Sequence, residues 1–82
     1  MEELATKYIQ KTEHALTVLK TKDLFHLDVG KVNVVIEEAK RYLVDAKYYC
    51  EKRRFETSLA SVAYCEGLLD ALRMLGYVEF SW

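Results

Sequence analysis

Between positions 29 and 50, small or apolar residues fall at Val29, Val32, Ile36, Ala39, Leu43, Ala46 and Cys50, at alternating intervals of three and four. This spacing holds one seam on a single side of an α-helix. Its seven-residue period predicts a left-handed supercoil with the neighbour that packs on it. Val35, Tyr42 and Tyr49 form a second stripe beside the seam, so the helix is expected to face two partners, as a three-helix bundle requires. The absence of proline and the presence of only three glycines in 82 residues disfavour a β-rich domain, which would need more turn residues. A chain of this length has room for one domain, 1–82, with one core.

Two further helices complete the expectation. From Leu4 to Leu19 the apolar positions are 4, 5, 8, 9, 15, 16 and 19, with Thr12 filling the gap, the pattern of an amphipathic helix. Its opposite face, Lys7, Gln10, Lys11, Glu13 and His14, reads as solvated. The stretch 21–28 breaks the rhythm and reads as an apolar loop bearing Leu24, Phe25 and Leu27, with Asp28 as N-cap of the next helix. Val62, Cys65, Leu69 and Leu72 mark the third helix. At about 100° per residue, their face is rotated by roughly 80° from the earlier seam, which argues for a turn near Arg53–Phe55 rather than one continuous helix. A turn centred at 54 pairs Ala46 with Val62, Leu43 with Cys65, Ala39 with Leu69 and Ile36 with Leu72, four apolar layers in register. Gly76 stands where a C-cap glycine belongs. The tail from Tyr77 to Trp82 is too apolar to be left in water. The predicted fold is all-α: a three-helix up-and-down bundle with left-handed twist, helices at about 2–20, 28–53 and 56–75, and a short apolar C-terminal tail that caps the same end as the 21–28 loop.

A formal net charge of −1 gives no strong electrostatic argument for nucleic acid or an anionic membrane. No apolar run approaches the roughly 20 residues of a membrane span. The acidic start Met1-Glu2-Glu3 lacks an apolar signal core. A cytoplasmic protein is the expectation.

Several residue groups invite a chemical reading. Cys50 and Cys65 differ by roughly 10 Å in height along the predicted hairpin at 1.5 Å per residue, too far for a disulfide, and both read as inert core residues. His14 and His26 lack zinc-ligand spacing. Glu66, Asp70 and Arg73 share one strip, in which Asp70 and Arg73 read as a surface ion pair rather than acid–base machinery. Lys47, Lys52, Arg53 and Arg54, with Tyr48 and Phe55 interleaved, form the densest basic cluster, of a kind that suits single-stranded nucleic acid, although a solvated turn is the simpler reading. No catalytic, cofactor or metal site is expected.

A small-residue stripe is the most informative group. Ala60, Ala63, Gly67 and Ala71 lie on one side of the third helix, opposite its core face, with Met74 beside them. A mid-helix glycine costs about 1 kcal/mol relative to alanine, so Gly67 suggests close approach, either by the first helix or by another molecule. Tyr64, Leu68 and Leu75 lie between the two faces and are available to the first helix. With so much of its circumference apolar, the third helix is expected to make a contact beyond its two neighbours.

Taken together, Ala46-Lys47-Tyr48-Tyr49, Glu51-Lys52, Ala63-Tyr64, Gly67, Leu69-Asp70-Ala71 and Leu75-Gly76, with Tyr8-Ile9, Lys11-Thr12-Glu13 near the start, resemble the archaeal family catalogued as domain of unknown function 357. Where that family's turn often carries a glycine, this chain has Arg53-Arg54. The resemblance implies a three-helix up-and-down bundle and no activity. It also implies an accessory module, because some members are joined to nucleotidyltransferase-like domains. The expected function is a non-catalytic protein-interaction or oligomerisation module, its partner a second copy or another helical protein. The alternative is a nucleic-acid-binding accessory domain using the basic turn at 52–54.

Overall fold

A computed structural model describes residues 1–21 and 29–82. Its elements are α1 (Glu2–Val18), β1 (Lys20–Thr21), α2 (Val29–Glu51), α3 (Phe55–Met74) and β2 (Val78–Glu79). The three helices run up, down and up. Glu2 meets Arg53 and Thr6 meets Cys50, which sets α1 antiparallel to α2. Thr12 bonds Glu66 while Lys20 pairs with Glu79, which sets α1 parallel to α3. The all-α bundle expected from the seam is therefore the observed fold. Leu24, Phe25, His26, Leu27 and Asp28, assigned above to a loop and an N-cap, lie outside the described residues.

The break between α2 and α3 is a Schellman turn. The Arg53 N–H donates to the Cys50 carbonyl at 3.0 Å and the Arg54 N–H to the Tyr49 carbonyl at 2.9 Å, the paired bonds that close a helix C-terminus. Arg53 takes φ 60°, the left-handed conformation that glycine adopts without cost and an L side chain does not. At this junction α2 is accordingly shorter than expected, stopping at Glu51 rather than 53, while α3 begins one residue early, at Phe55 rather than 56. The same motif ends α3, where Gly76, at φ 80°, donates to the Arg73 carbonyl and Tyr77 to the Leu72 carbonyl.

Behind the turn the seam closes as the register predicts. Ala39, Leu43, Ala46, Val62, Cys65 and Leu69 form one buried cluster with Ile9 of α1. Ile36 and Leu72 form a second with Val32 and Val78. The small side chains Ala39, Ala46, Ser58 and Cys65 have no exposed surface at all, so the helices approach closely there. The buried Ser58 hydroxyl donates to the Ala46 carbonyl at 2.6 Å, which satisfies a polar group inside the contact.

Two features depart from the sequence reading. First, α1 ends at Val18, not near 20, because Leu19 is extended (ψ 134°) and leads into β1. β1 and β2 then pair antiparallel, Lys20 with Glu79 and Thr21 with Val78. Second, the Val35, Tyr42 and Tyr49 stripe does not face α1. α1 meets α2 through Lys47, on the flank of the seam opposite Tyr42, and through Cys50 in the seam itself. Tyr42 instead stacks on Tyr64 of α3, ring centroids 5.2 Å apart.

The tail is tied to the bundle. Val78 is 1% exposed, Phe80 and Trp82 pack edge to face at 4.9 Å, and the Trp82 indole N–H donates to Asp70 at 2.8 Å. Deleting Tyr77–Trp82 should lower unfolding stability by more than about 2 kcal/mol, because burial of Val78 alone contributes about that much; an unchanged denaturant midpoint would contradict this packing. Arg53→Gly should raise stability by about 1 kcal/mol, by relieving the left-handed strain at a C′ position, and a chemical denaturation curve measures it.

Candidate functional site

The groups singled out in the sequence separate into those consumed by the fold and those left on its surface. Glu66 receives Lys11 at 3.5 Å and the Thr12 hydroxyl at 3.4 Å. Asp70 is held by Arg73 and Trp82, each at 2.8 Å. This strip therefore binds α1 and the tail to α3. It is not a carboxylate pair open to substrate. No group of three or more His, Cys, Asp and Glu side chains among the described residues is placed to hold a metal.

Cys50 and Cys65 are both free thiols. Cys65 is fully buried, and burial, assisted by the neighbouring Glu66, pushes its pKa up to about 11. Cys50 is only half-buried and sits 3.9 Å from the Thr6 hydroxyl. The two cysteines, read as equivalent core residues from their seam positions, thus differ in access.

The basic cluster gathers at the α2–α3 turn, with part of its charge answered locally. Lys47 pairs with Glu13 of α1, and Arg53 lies 3.6 Å from Glu2. Lys52 lies over the Tyr48 ring, Arg54 over Tyr49 and Arg53 over Phe55. Arg53 and Arg54 border an open hollow of about 330 Å³ shared with Met1, Phe55, Glu56 and Thr57. Glu2, Glu51 and Glu56 also belong to this end of the bundle, so acidic groups accompany the basic ones.

The small-residue stripe lies on the outside. Ala60, Ala63, Gly67 and Ala71 are all exposed, and Met74 is 82% exposed. A Cβ placed on Gly67 would meet nothing within 4 Å. The first helix does not fill this groove, which removes one of the two explanations for the glycine. The α1 helix instead meets α3 along Leu59, Val62 and Glu66, where Tyr8 lines a shallow hollow that Ala63 of the stripe borders. Nor do Tyr64, Leu68 and Leu75 serve α1. They project from the opposite side of α3, Tyr64 64% and Leu75 63% exposed.

A family model described as protein of unknown function (DUF357) matches residues 7–78. The chain belongs to the DUF357 family. The match runs from the first helix through β2, so it takes in every element that builds the bundle. Comparison with curated proteins and with solved structures found no match. Membership in DUF357 brings no residue role with it. No helix of this DUF357 chain is long and apolar enough, among the described residues, to cross a membrane.

The Tyr42–Tyr64 pair is the surface feature that sequence reasoning missed as a unit. Sequence alone puts Tyr42 in a second stripe and Tyr64 toward the first helix, yet with the turn centred at 54 the two lie within two residues of the same height. The thiol chemistry makes a separate prediction. Cys65, with its folded pKa above the ordinary value of 9.0, favours the native state below pH 9. That contribution is lost as pH rises from about 9 towards 11, because the unfolded thiol ionises first. Stability should fall across that window in the parent and fall less in Cys65→Ala, measured by denaturant melts at several pH values; identical slopes would contradict the assignment.

Proposed function

We propose that this DUF357 domain is a non-catalytic protein-interaction or oligomerisation module that works through the outer surface of α3. The observation that carries the reading is the open stripe Ala60, Ala63, Gly67, Ala71 and Met74, which no element of the described chain covers. Only four of the residues in α3 are charged, Glu56, Glu66, Asp70 and Arg73. The last three are engaged by α1, the tail or each other. A helix whose charges are spent inward, and whose small residues face outward, lets another backbone come close enough for dispersion contacts to accumulate. The partner is a second copy or another helical protein, including a nucleotidyltransferase-like protein of the kind to which the resemblance points. The reading takes the domain to be cytoplasmic, in keeping with two unpaired cysteines.

The alternative, nucleic-acid binding at the basic turn, has one observation in its favour: cations stacked on Tyr48, Tyr49 and Phe55. Against it, Glu13 and Glu2 answer Lys47 and Arg53.

Gly67→Glu tests the reading. The open space at Gly67 predicts a variant that folds with an unchanged or slightly higher melting temperature, since glutamate is a better helix former than glycine. As bait in native extract, alongside the parent, it should retain at least tenfold less of the bound protein, a difference of about 1.4 kcal/mol. Equal capture by both would overturn the interaction reading. A probe of single-stranded RNA that binds the parent, weakens steeply with salt and is lost in Lys52→Ala would establish the alternative instead.

A further inference from the structure

The turn between α2 and α3 is held in a costly form. Arg53 takes φ 60°, where the Cβ of an L residue crowds the backbone. Arg54, the N-cap of α3, makes no side-chain bond to the first turn, so the N–H groups there go without the cap that a helix start calls for. One unbroken helix would remove both costs. The Phe55, Glu56 and Thr57 N–H groups would donate to the Glu51, Lys52 and Arg53 carbonyls, and Arg53 would leave the left-handed region. The segment 50–58 contains neither proline nor glycine to prevent it. The hinge is only Lys52-Arg53-Arg54, between the end of α2 and the start of α3. A short hinge under strain favours exchange of an element between copies.

We propose that the chain has a second, two-fold form, in which α2 and α3 join as one helix and two copies exchange α3 together with the tail. The fold itself names the occupant of the vacated α2 face: it is α3 of the second copy, which carries the side chains that α2 already packs. Leu43, Ala46 and Ala39 meet the partner's Cys65, the partner's Val62 and the partner's Leu69, the contacts that close the hairpin within one chain. Ala46 accepts at its carbonyl from the partner's Ser58, as it does from Ser58 within one chain at 2.6 Å. Lys11 meets the partner's Glu66, and Lys20 pairs with the partner's Glu79. The α1 helix stays on its own α2 through Glu13–Lys47 and Thr6–Cys50.

Only the hinge changes. The two turn hydrogen bonds and the Glu2–Arg53 pair are given up, and helical bonds replace the former. With the turn centred at 54, Lys52 comes level with the partner's Glu56, while Arg54 comes level with its own copy. These side chains are exposed, so salt screens the like-charge cost. The roughly 80° between the apolar faces of α2 and α3 is no obstacle, because each half of the long helix belongs to a different three-helix unit. The exchanged form keeps the core and relieves the turn, against the entropy of joining two chains, so it gains on the hairpin as concentration rises. The inference goes beyond the interaction reading. The stripe at Ala60, Ala63, Gly67 and Ala71 stays uncovered in both forms, and the dimer presents it twice.

Size-exclusion chromatography and small-angle X-ray scattering of the full chain test it. Refolded from denaturant at about 1 mM, the parent should yield a dimer that survives dilution, because return to hairpins requires the α2–α3 contact to open. An unbroken helix from Val29 to Met74 is about 69 Å long at 1.5 Å per residue, against 44 Å for the longest extent of the hairpin form. The dimer should therefore measure about 70 Å or more. Two hinge variants should move the balance in opposite directions. Arg53→Gly relaxes the left-handed turn and weakens the helix, whereas Arg53→Ala keeps the strain and favours the helix. Their dimer association constants should differ about a hundredfold, about tenfold for each of two hinges. Gly67→Glu should dimerise as the parent does. The inference is overturned if the parent and Arg53→Ala both stay monomeric, if the dimer is no longer than the hairpin form, if Arg53→Gly and Arg53→Ala dimerise equally, or if Gly67→Glu abolishes the dimer. Should exchange fail while Gly67→Glu still loses the bound protein, the interaction reading stands. Elongated dimers with equal capture by Gly67→Glu and the parent overturn that reading alone.

Discussion

Two backbone hydrogen bonds, Arg53 N–H to Cys50 and Arg54 N–H to Tyr49, turn what the side chains alone would allow to be one long helix into a hairpin. Neither Lys52 nor Arg54 is a helix breaker, so the reversal rests on a left-handed residue that is not glycine. Once the chain has reversed there, the seam of α2 can only meet the Val62–Leu72 face of α3. Ser58 then lands on the Ala46 carbonyl, and α1 has a groove to occupy.

The distribution of charge on α3 follows from that arrangement. The side facing α1 holds Glu66 and Asp70, whose partners come from Lys11, Thr12 and Trp82. A carboxylate half-withdrawn from water is tolerable where several donors converge on it, and here they come from the first and last parts of the chain. What remains of the helix surface has no electrostatic work to do inside the monomer. Small side chains on the outside and tyrosines on the far side make a surface with little to gain from water. That surface is the one on which the proposed interaction rests.

Much of the architecture was legible because period and spacing are local properties. The three-four alternation marked the buried residues from Val32 to Ala46, although its two ends fall outside the core, Val29 exposed and Cys50 half-buried. The phase change after Arg54 marked where the chain reverses. The side on which α1 returns was not legible. Val35, Tyr42 and Tyr49 have the right spacing to face a helix, and so do Lys47 and Cys50 on the other flank; periodicity gives an angle around the axis without saying which angle a third helix takes. Gly67 left two explanations open for a related reason. Its cost to the helix is real, but a sequence does not show whether the space beside it is filled, and in the folded chain it is open. The β1–β2 pairing was invisible because two residues of backbone bonding leave no side-chain pattern at all.

That small ribbon has a consequence for how the molecule assembles. It joins residue 20 to residue 79, close to the largest separation the chain offers, whereas the α2–α3 hairpin is stitched by neighbours on either side of a tight turn. Loop-closure entropy makes the distant pairing slow and rewards it only after the intervening chain is already ordered. The hairpin, whose contacts are the more local, is therefore expected to form first. The outer helix and the tail dock onto it together, as a late cooperative unit whose opening, short of global unfolding, exposes the buried edge of α3 along Val62 and Leu69.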